Sequence, residues 1–362
     1  MLNLRFYYKS QEIVKKGERK SEEPESIEVT LVSDKKNIQK TIKFENLQKI
    51  YTQTVKLQEV VQPKVEFFEY SEVTPQDNTT ELISPTIYRL DKLVTQLKKI
   101  GVNLNKAFND ENSKISIESN KDEFLMLPWE KLLDEGNTLP ITRNVIASKI
   151  PLLDKDKNIA ICLSHAYFDV DGTKMHKVAD VFNVEVSSIL SAMFDERKGI
   201  VNKPQKFSIF KYINEESIKQ INFQGYNVVH LIMHGRENGD LGFEDENDHW
   251  KTKWIENNKL KDLFKSFSNN LMFISCCFSG SGDWERPSLA FQVVFHGVSS
   301  YSIGFNGAMG SEITLPSFTK DFYTQFFKNS DIEGAFNYAV KQLKISQNKY
   351  SNRPVLYKLT KL

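Results

Sequence analysis

Two stretches of this chain end an apolar run on residues able to do chemistry: Asn227-Val228-Val229-His230-Leu231-Ile232-Met233-His234-Gly235 and Leu271-Met272-Phe273-Ile274-Ser275-Cys276-Cys277-Phe278-Ser279-Gly280. Both runs have the length and apolarity of buried parallel strands. Such strands end together on one edge of a sheet, where open α/β folds hold their sites. An imidazole and a thiol would meet there. Polar side chains are costly inside a buried strand and tolerated at its tip, so the pairing suggests a cysteine nucleophile served by a histidine base. A free thiol with an ordinary pKa of about 8.5 attacks poorly at neutral pH, so the site must supply an imidazole or positive local potential.

A metal reading of the same histidines fails on distance. His230 and His234 are four residues apart, which on a strand means about 13 Å, too far for one ion. His230 is expected to be a buried, hydrogen-bonded residue. A second motif, Phe168-Asp169-Val170-Asp171-Gly172-Thr173, matches the Asp-x-Asp-Gly-Thr signature of haloacid-dehalogenase phosphatases. That signature needs an apolar strand directly before it, whereas Ser164-His165-Ala166-Tyr167 intervenes, and Lys174 stands where an apolar residue is usual. A loop turn rich in Asp and Gly explains it better. No metal and no cofactor is expected.

The elements that must position the two reactive ends are legible along the chain. From about Lys157, strand and helix patterns alternate: strands at 158–163, 206–212, 226–233, 271–276, 298–305 and 355–359, with helices at 176–194, 215–221, 260–267, 288–295, 313–327 and 332–345. This alternation predicts a mainly parallel sheet with helices on both faces. The first 75 residues instead alternate apolar and polar residues over 2–8, 27–32, 41–44 and 65–70, which predicts a β-rich N-terminal addition of half-buried antiparallel strands. The charged run 15–25 reads as a solvated loop. Between Pro85 and Phe108, Ile87, Leu90, Leu93, Val94, Leu97 and Ile100 recur at helical spacing, with Gly101 as a stop. The expected division is 1–80 for the β-rich segment and 81–362 for the α/β domain, the latter with an N-terminal subregion to 155 and a catalytic core from 156.

Composition narrows the class further. With 362 residues the chain can bury a core without covalent staples. Lys+Arg of 48 against Asp+Glu of 47 leaves a net charge of +1, so no global field favours nucleic acid or an anionic membrane. Only Cys162, Cys276 and Cys277 are present, no apolar run reaches the length of a membrane span, and Met1 to Tyr8 lacks the apolar core of a signal peptide. The expectation is a reducing, cytoplasmic setting.

Three motifs in order carry a family resemblance: Leu127-Pro128-Trp129-Glu130-Lys131-Leu132-Leu133, the strand ending in His234-Gly235, and Ile274-Ser275-Cys276-Cys277-Phe278-Ser279-Gly280. In these the chain resembles the CHAT domain, a caspase-like peptidase family related to caspases and separases, over roughly residues 80 to 362. Weaker agreement runs through Ile303-Gly304-Phe305-Asn306-Gly307, Asp321-Phe322-Tyr323 and the closing helix; residues 1–75 match nothing. The separation of 43 positions between His234 and Cys277 suits the caspase order, in which the His precedes the Cys by about 50.

The resemblance implies that Cys277 is the nucleophile, Cys276 taking the place of the family's Ala, and that His234 is the base. It further implies an oxyanion hole formed by the N–H groups of Gly235 and Cys277. Cys276, one residue inside the strand and facing the other way, is expected to pack. The implied activity is a cysteine endopeptidase cutting a protein substrate at limited sites. The implied setting is bacterial defence or programmed cell death, for example gasdermin activation or a guide-RNA-controlled response, with a gasdermin-like or other effector as substrate and an activating partner protein. Asp283, Glu285 and Glu312 are candidates to line the pocket and favour a basic side chain before the cut. The rival is a catalytically silent caspase-fold module used for binding or regulation.

Overall fold

The computed structural model describes residues 1–9, 13–16, 19–22, 26–33, 36–43, 90–109, 114–127, 129–133, 141–147, 157–175, 178–193, 204, 206–221, 223, 225–264, 269–282, 287–309, 314–346, 348 and 350–361. The chain forms two units, 1–143 and 144–362. The expected boundaries at 80/81 and 155/156 lie outside the described residues, as does the strand expected at 65–70.

In the first unit, β1 (Leu2–Lys9), β4 (Ser26–Ser33) and β5 (Lys36–Lys43) form an antiparallel set in the order β5-β4-β1. Leu2, Leu4 and Phe6 alternate inward on β1 against Ile27, Val29 and Leu31 on β4, the period of two that the sequence shows. Between them β2 (Ile13–Lys16) and β3 (Arg19–Glu22) pair as a hairpin, with Lys16 opposite Arg19. This corrects the loop expected over 15–25. The β-branched Ile13 and Val14 favour a strand there despite the charge.

Helix α1 (90–99) buries Leu90, Leu93 and Leu97, and the chain leaves it at Gly101 with φ 87°, the left-handed conformation that glycine adopts without strain. Then follow α2 (Leu104–Asn109), β6 (Ile115–Ser119), parallel to β1, and α3 (Asp122–Leu125). Trp129 of the Leu-Pro-Trp segment is fully buried, stacked on Phe6 and Phe108, with its indole N–H donating to the Phe124 carbonyl at 2.7 Å. That motif therefore builds core in the first unit. Strand β7 (Ile141–Ala147) carries the chain into the second.

The second unit contains β8 (Ile159–Leu163), α4 (Val178–Met193), β9 (Phe207–Phe210), α5 (Glu215–Gln220) and β10 (Val228–Ile232). A small antiparallel sheet follows, of β11 (His234–Gly235), β12 (Leu241–Glu244) and β13 (Thr252–Ile255). The remaining elements are α6 (Asn257–Leu263), β14 (Asn269–Ser275), α7 (Leu289–Phe295), β15 (Ser299–Phe305), α8 (Thr314–Asn329), α9 (Ile332–Ile345) and β16 (Pro354–Lys361). The strand order is β16-β15-β14-β10-β8-β9, all parallel except β16.

Every residue of β8, β10 and β14 is buried, as an interior parallel strand requires. On one face Ile161, Phe273, Ile303 and Leu356 pack with Phe182 and Ile189 of α4, Phe318 and Phe322 of α8, and Phe336 of α9. On the other face α7 lies so close to β15 that a Cβ added to Gly304 would sit 2.8 Å from the Ala290 Cβ. The expected mainly parallel sheet with helices on both faces, preceded by antiparallel strands, is therefore the architecture found.

Candidate functional site

The register sets the site. Leu163 on β8 pairs with Ile232 on β10, which pairs with Ser275 on β14, so the three strands end level. The last bridge between the central pair is the Met233 N–H donating to the Ser275 carbonyl at 3.4 Å. Beyond it both chains leave the main sheet, β10 into the short ladder of β11 and β12, and β14 into a turn.

His234-Gly235 and Cys276-Cys277 meet directly at this edge. A Cβ on Gly235 would fall far inside the van der Waals radius of the Cys277 carbonyl oxygen, and 3.1 Å from the Cys276 Sγ. Glycine is required here by space, because no side chain fits between the two backbones. The group that approaches Gly235 is the backbone of Cys277 itself. His234 stands opposite Gly242 on β12, where a Cβ would lie 3.2 Å from the His234 Cβ. A second glycine thus clears room beside the imidazole.

The turn carrying the thiol is held tightly. Phe278 takes φ 60°, a left-handed conformation rare for a bulky residue and costing of order 1–3 kcal/mol. Its N–H donates to the Gly307 carbonyl at 3.0 Å. The Ser279 hydroxyl donates to the Ile274 and Cys276 carbonyls at 3.1 and 3.0 Å and accepts the Phe305 N–H at 3.0 Å. Ser281 accepts the Gly307 N–H at 2.9 Å. These bonds fasten the turn to the end of β15 and offset the strain.

The two neighbouring thiols differ in surroundings. Cys277 is partly exposed, packs against the cluster beneath α4 and α8, and accepts the Met309 N–H at 3.4 Å on its Sγ. Burial pushes its pKa up, against the Met309 N–H and the Arg353 charge, which work to lower it. Burial thus works against the thiolate, and making a nucleophile calls for a base. Cys276 is buried, and burial followed by the nearness of Cys277 drives its pKa up as well. Cys162, buried within β8, is raised by burial as well.

His230 lies two turns of the pleat below His234, with no exposed surface. Its ring stacks on Phe273 at 4.3 Å, Nδ1 is 2.9 Å from the Tyr323 hydroxyl and Nε2 is 3.1 Å from Glu185 Oε1. Asp169 is bound by Arg236 at 2.7 and 3.0 Å and by the Trp254 indole N–H at 2.7 Å. Burial works to raise its pKa, but Trp254, the Val170 N–H and Arg236 together hold it below the usual carboxylate value. Asp171 is exposed and accepts the Thr173 N–H at 2.8 Å in a turn closed by Gly172 at φ 85°. Among the described residues no three His, Cys, Asp or Glu side chains gather as metal ligands. Asp283, Glu285 and Glu312 lie outside the described residues.

The site contains groups that sequence reasoning passed over. Arg353, just before β16, stacks on Tyr350 at 4.4 Å and reaches the loop at Gly307; no periodic pattern marks it. Glu185 had a signal: it falls on the apolar stripe of α4 with Phe182, Val186 and Ile189. A carboxylate at such a position needs partners.

No family model matches this chain, and no curated protein matches it. Solved structures do align. The pro- and mature domains of RgpB from Porphyromonas gingivalis align with 10% identity and a TM-score of 0.43, over 70% of this chain and 67% of that one. The Saccharomyces cerevisiae separase–securin complex aligns with 14% identity and a TM-score of 0.41, over 88% of this chain but 22% of that one. Pro-Sf-caspase-1 aligns with 15% identity and a TM-score of 0.35, over 63% and 98%. The chain thus spans about a fifth of the separase chain. Scores at this level add nothing to the assignment of individual residues, which rests on the geometry of this chain. No described helix is long and apolar enough to cross a membrane.

Proposed function

We propose that this protein is a caspase-like cysteine endopeptidase with Cys277 as nucleophile and His234 as base. The observation that carries the reading is the contact of Gly235 with the Cys277 backbone, which joins the His-Gly and Cys segments at the C-terminal edge of a parallel sheet. In this reading the Cys277 Sγ attacks the scissile carbonyl carbon and its proton passes to His234. The N–H groups of Gly235 and Cys277 stabilise the oxyanion, an effect of about 3–4 kcal/mol per donor in comparable sites. His234 then gives its proton to the leaving amine, and a thioester to Cys277 remains. Water, deprotonated by His234, releases the acid product and restores the thiol.

The resemblance to CHAT domains extends the proposal to a protein substrate cut at few positions, a gasdermin-like effector being one class, in bacterial defence or cell death in the cytoplasm. The burial that works against the Cys277 thiolate fits a resting enzyme that an activating partner rearranges. It also fits the second reading, a silent module that binds through the same fold. The test is to incubate wild type and Cys277→Ala with candidate partner proteins encoded beside the gene and map new termini by mass spectrometry. Cleavage by wild type alone supports the peptidase; no new terminus with any partner favours the silent module.

A further inference from the structure

Beneath the reactive edge lies a buried polar cluster that the mechanism above does not use. Glu185 of α4 has no exposed surface; its Oε1 accepts the Thr319 hydroxyl at 2.7 Å, the Ser275 hydroxyl at 2.9 Å and His230 Nε2 at 3.1 Å, and its Oε2 lies 2.9 Å from the same Ser275 hydroxyl. Tyr323 completes the cluster through His230 Nδ1. With the His230 proton on Nε2 every donor has an acceptor: the two hydroxyls and Nε2 donate to the carboxylate, and Tyr323 donates to Nδ1. Satisfied clusters of this kind seldom stabilise more than a packed apolar core would, so what they confer is a defined geometry.

The geometry defined here is that of the two strands that carry the proposed dyad. One carboxylate holds β10 through His230, four residues before His234, and β14 through Ser275, two residues before Cys277. Ser275 is the last residue of β14, and the next N–H, that of Cys276, already turns back to Ile274. Ser275 lies on the face of β14 that carries Phe273, and Cys277, in the turn beyond, packs against the same cluster as Phe273. The Ser275–Glu185 bond is therefore the final side-chain anchor on that face before the thiol. We infer that Ser275, held by Glu185, is a positioning residue that sets the Cys277 Sγ within reach of the Met309 N–H. The inference rests on Cys277 being the reactive thiol of the proposed function. Slackening the end of β14 breaks the 3.4 Å Met309 bond and removes a donor that favours the thiolate.

The test compares Ser275→Ala with Thr319→Val, which deletes an equally buried bond to the same carboxylate without touching β14. The readouts are the thermal midpoint and the pH dependence of iodoacetamide alkylation at Cys277, resolved by peptide mass spectrometry in folded protein. Both variants are expected to lose stability, while only Ser275→Ala raises the alkylation midpoint, by roughly half to one pH unit, the equivalent of one hydrogen bond. Ser275→Thr, which keeps the hydroxyl, is expected to restore the wild-type midpoint. Should Ser275→Ala not fold, Glu185→Met, which fills a similar volume but leaves the Ser275 hydroxyl no acceptor there, is read in its place, with the same upward movement expected. A midpoint unmoved in Ser275→Ala, or moved equally in Thr319→Val, overturns the inference. Alkylation needs no substrate, so a wild type that cleaves none of the partners yet shows these midpoints counts against the peptidase reading and not against the placement of the Cys277 thiol by Ser275.

Discussion

His230 and His234 belong to one short segment and have opposite surroundings. His230 is sealed in the interior, with both ring nitrogens engaged by Glu185 and Tyr323 and its ring stacked on Phe273. His234 stands just past the end of the same strand, half-buried, in a two-residue ladder with a glycine opposite and a glycine following. The difference teaches where a polar group becomes available for chemistry. Inside the sheet its bonding capacity is consumed by the fold, and at the edge the backbone is shaped to leave it room. Cys276 and Cys277 repeat the contrast one strand over, one buried and one partly exposed.

The largest effect expected from this contrast is at the thiols. Cys277→Ala should abolish cleavage and Cys276→Ala should keep most of it, read as product formed per folded protein; the reverse would shift the assignment by one residue. Next in size is the edge itself. His234→Ala should lower turnover by at least ~10²-fold, the usual cost of losing general acid–base help, with little change in thermal midpoint. Gly235→Ala should cost a similar factor by displacing the Cys277 carbonyl. An active, stable Gly235→Ala protein would show that the close approach is dispensable.

The interior should respond in the other currency. His230→Ala leaves Glu185 and Tyr323 without a shared partner and opens a cavity against Phe273, so denaturation should show a loss of roughly 2–4 kcal/mol. Turnover per folded molecule should hold. A folded His230→Ala protein that is inactive, beside an active His234→Ala, would mean the wrong histidine has been assigned to catalysis.

The smallest effect sets a second pair of groups side by side, the carboxylates Glu185 and Glu244. Glu244 on β12 is buried beside His165, and burial pushes its pKa up to about 7, against the His165 N–H that lowers it. A carboxyl raised above its unfolded value contributes stability that is complete below about pH 4.5 and lost as the pH rises through 7. Glu244→Gln should therefore gain thermal midpoint over wild type progressively between pH 5 and pH 8. A constant difference across that range would show that ionisation of Glu244 carries no such cost.

Much of this arrangement is readable from residue order because it follows from burial. The apolar runs of β10 and β14, the alternation of β1 and β4, and the stop at Gly101 each express one local rule that the fold obeys. The charged hairpin of β2 and β3 was not legible, since its residues show no apolar face to mark a strand. The small β11–β13 sheet was also missed. Its segments of two to four residues are too short to show a period, yet they supply Gly242 and Trp254 beside the site. Arg353 and the Met309 N–H come to Cys277 from distant loops, and no spacing encodes such an approach.

The most direct measurement is site-resolved alkylation followed against cleavage. Iodoacetamide is added to wild-type protein that cleaves an identified partner, and the modified fraction of Cys277 is read by mass spectrometry beside the remaining activity. A parallel sample receives a chelator. The account predicts that activity falls in step with modification of Cys277 and that the chelator changes nothing. Cleavage that survives complete alkylation of Cys277, or that stops on chelation, would contradict it.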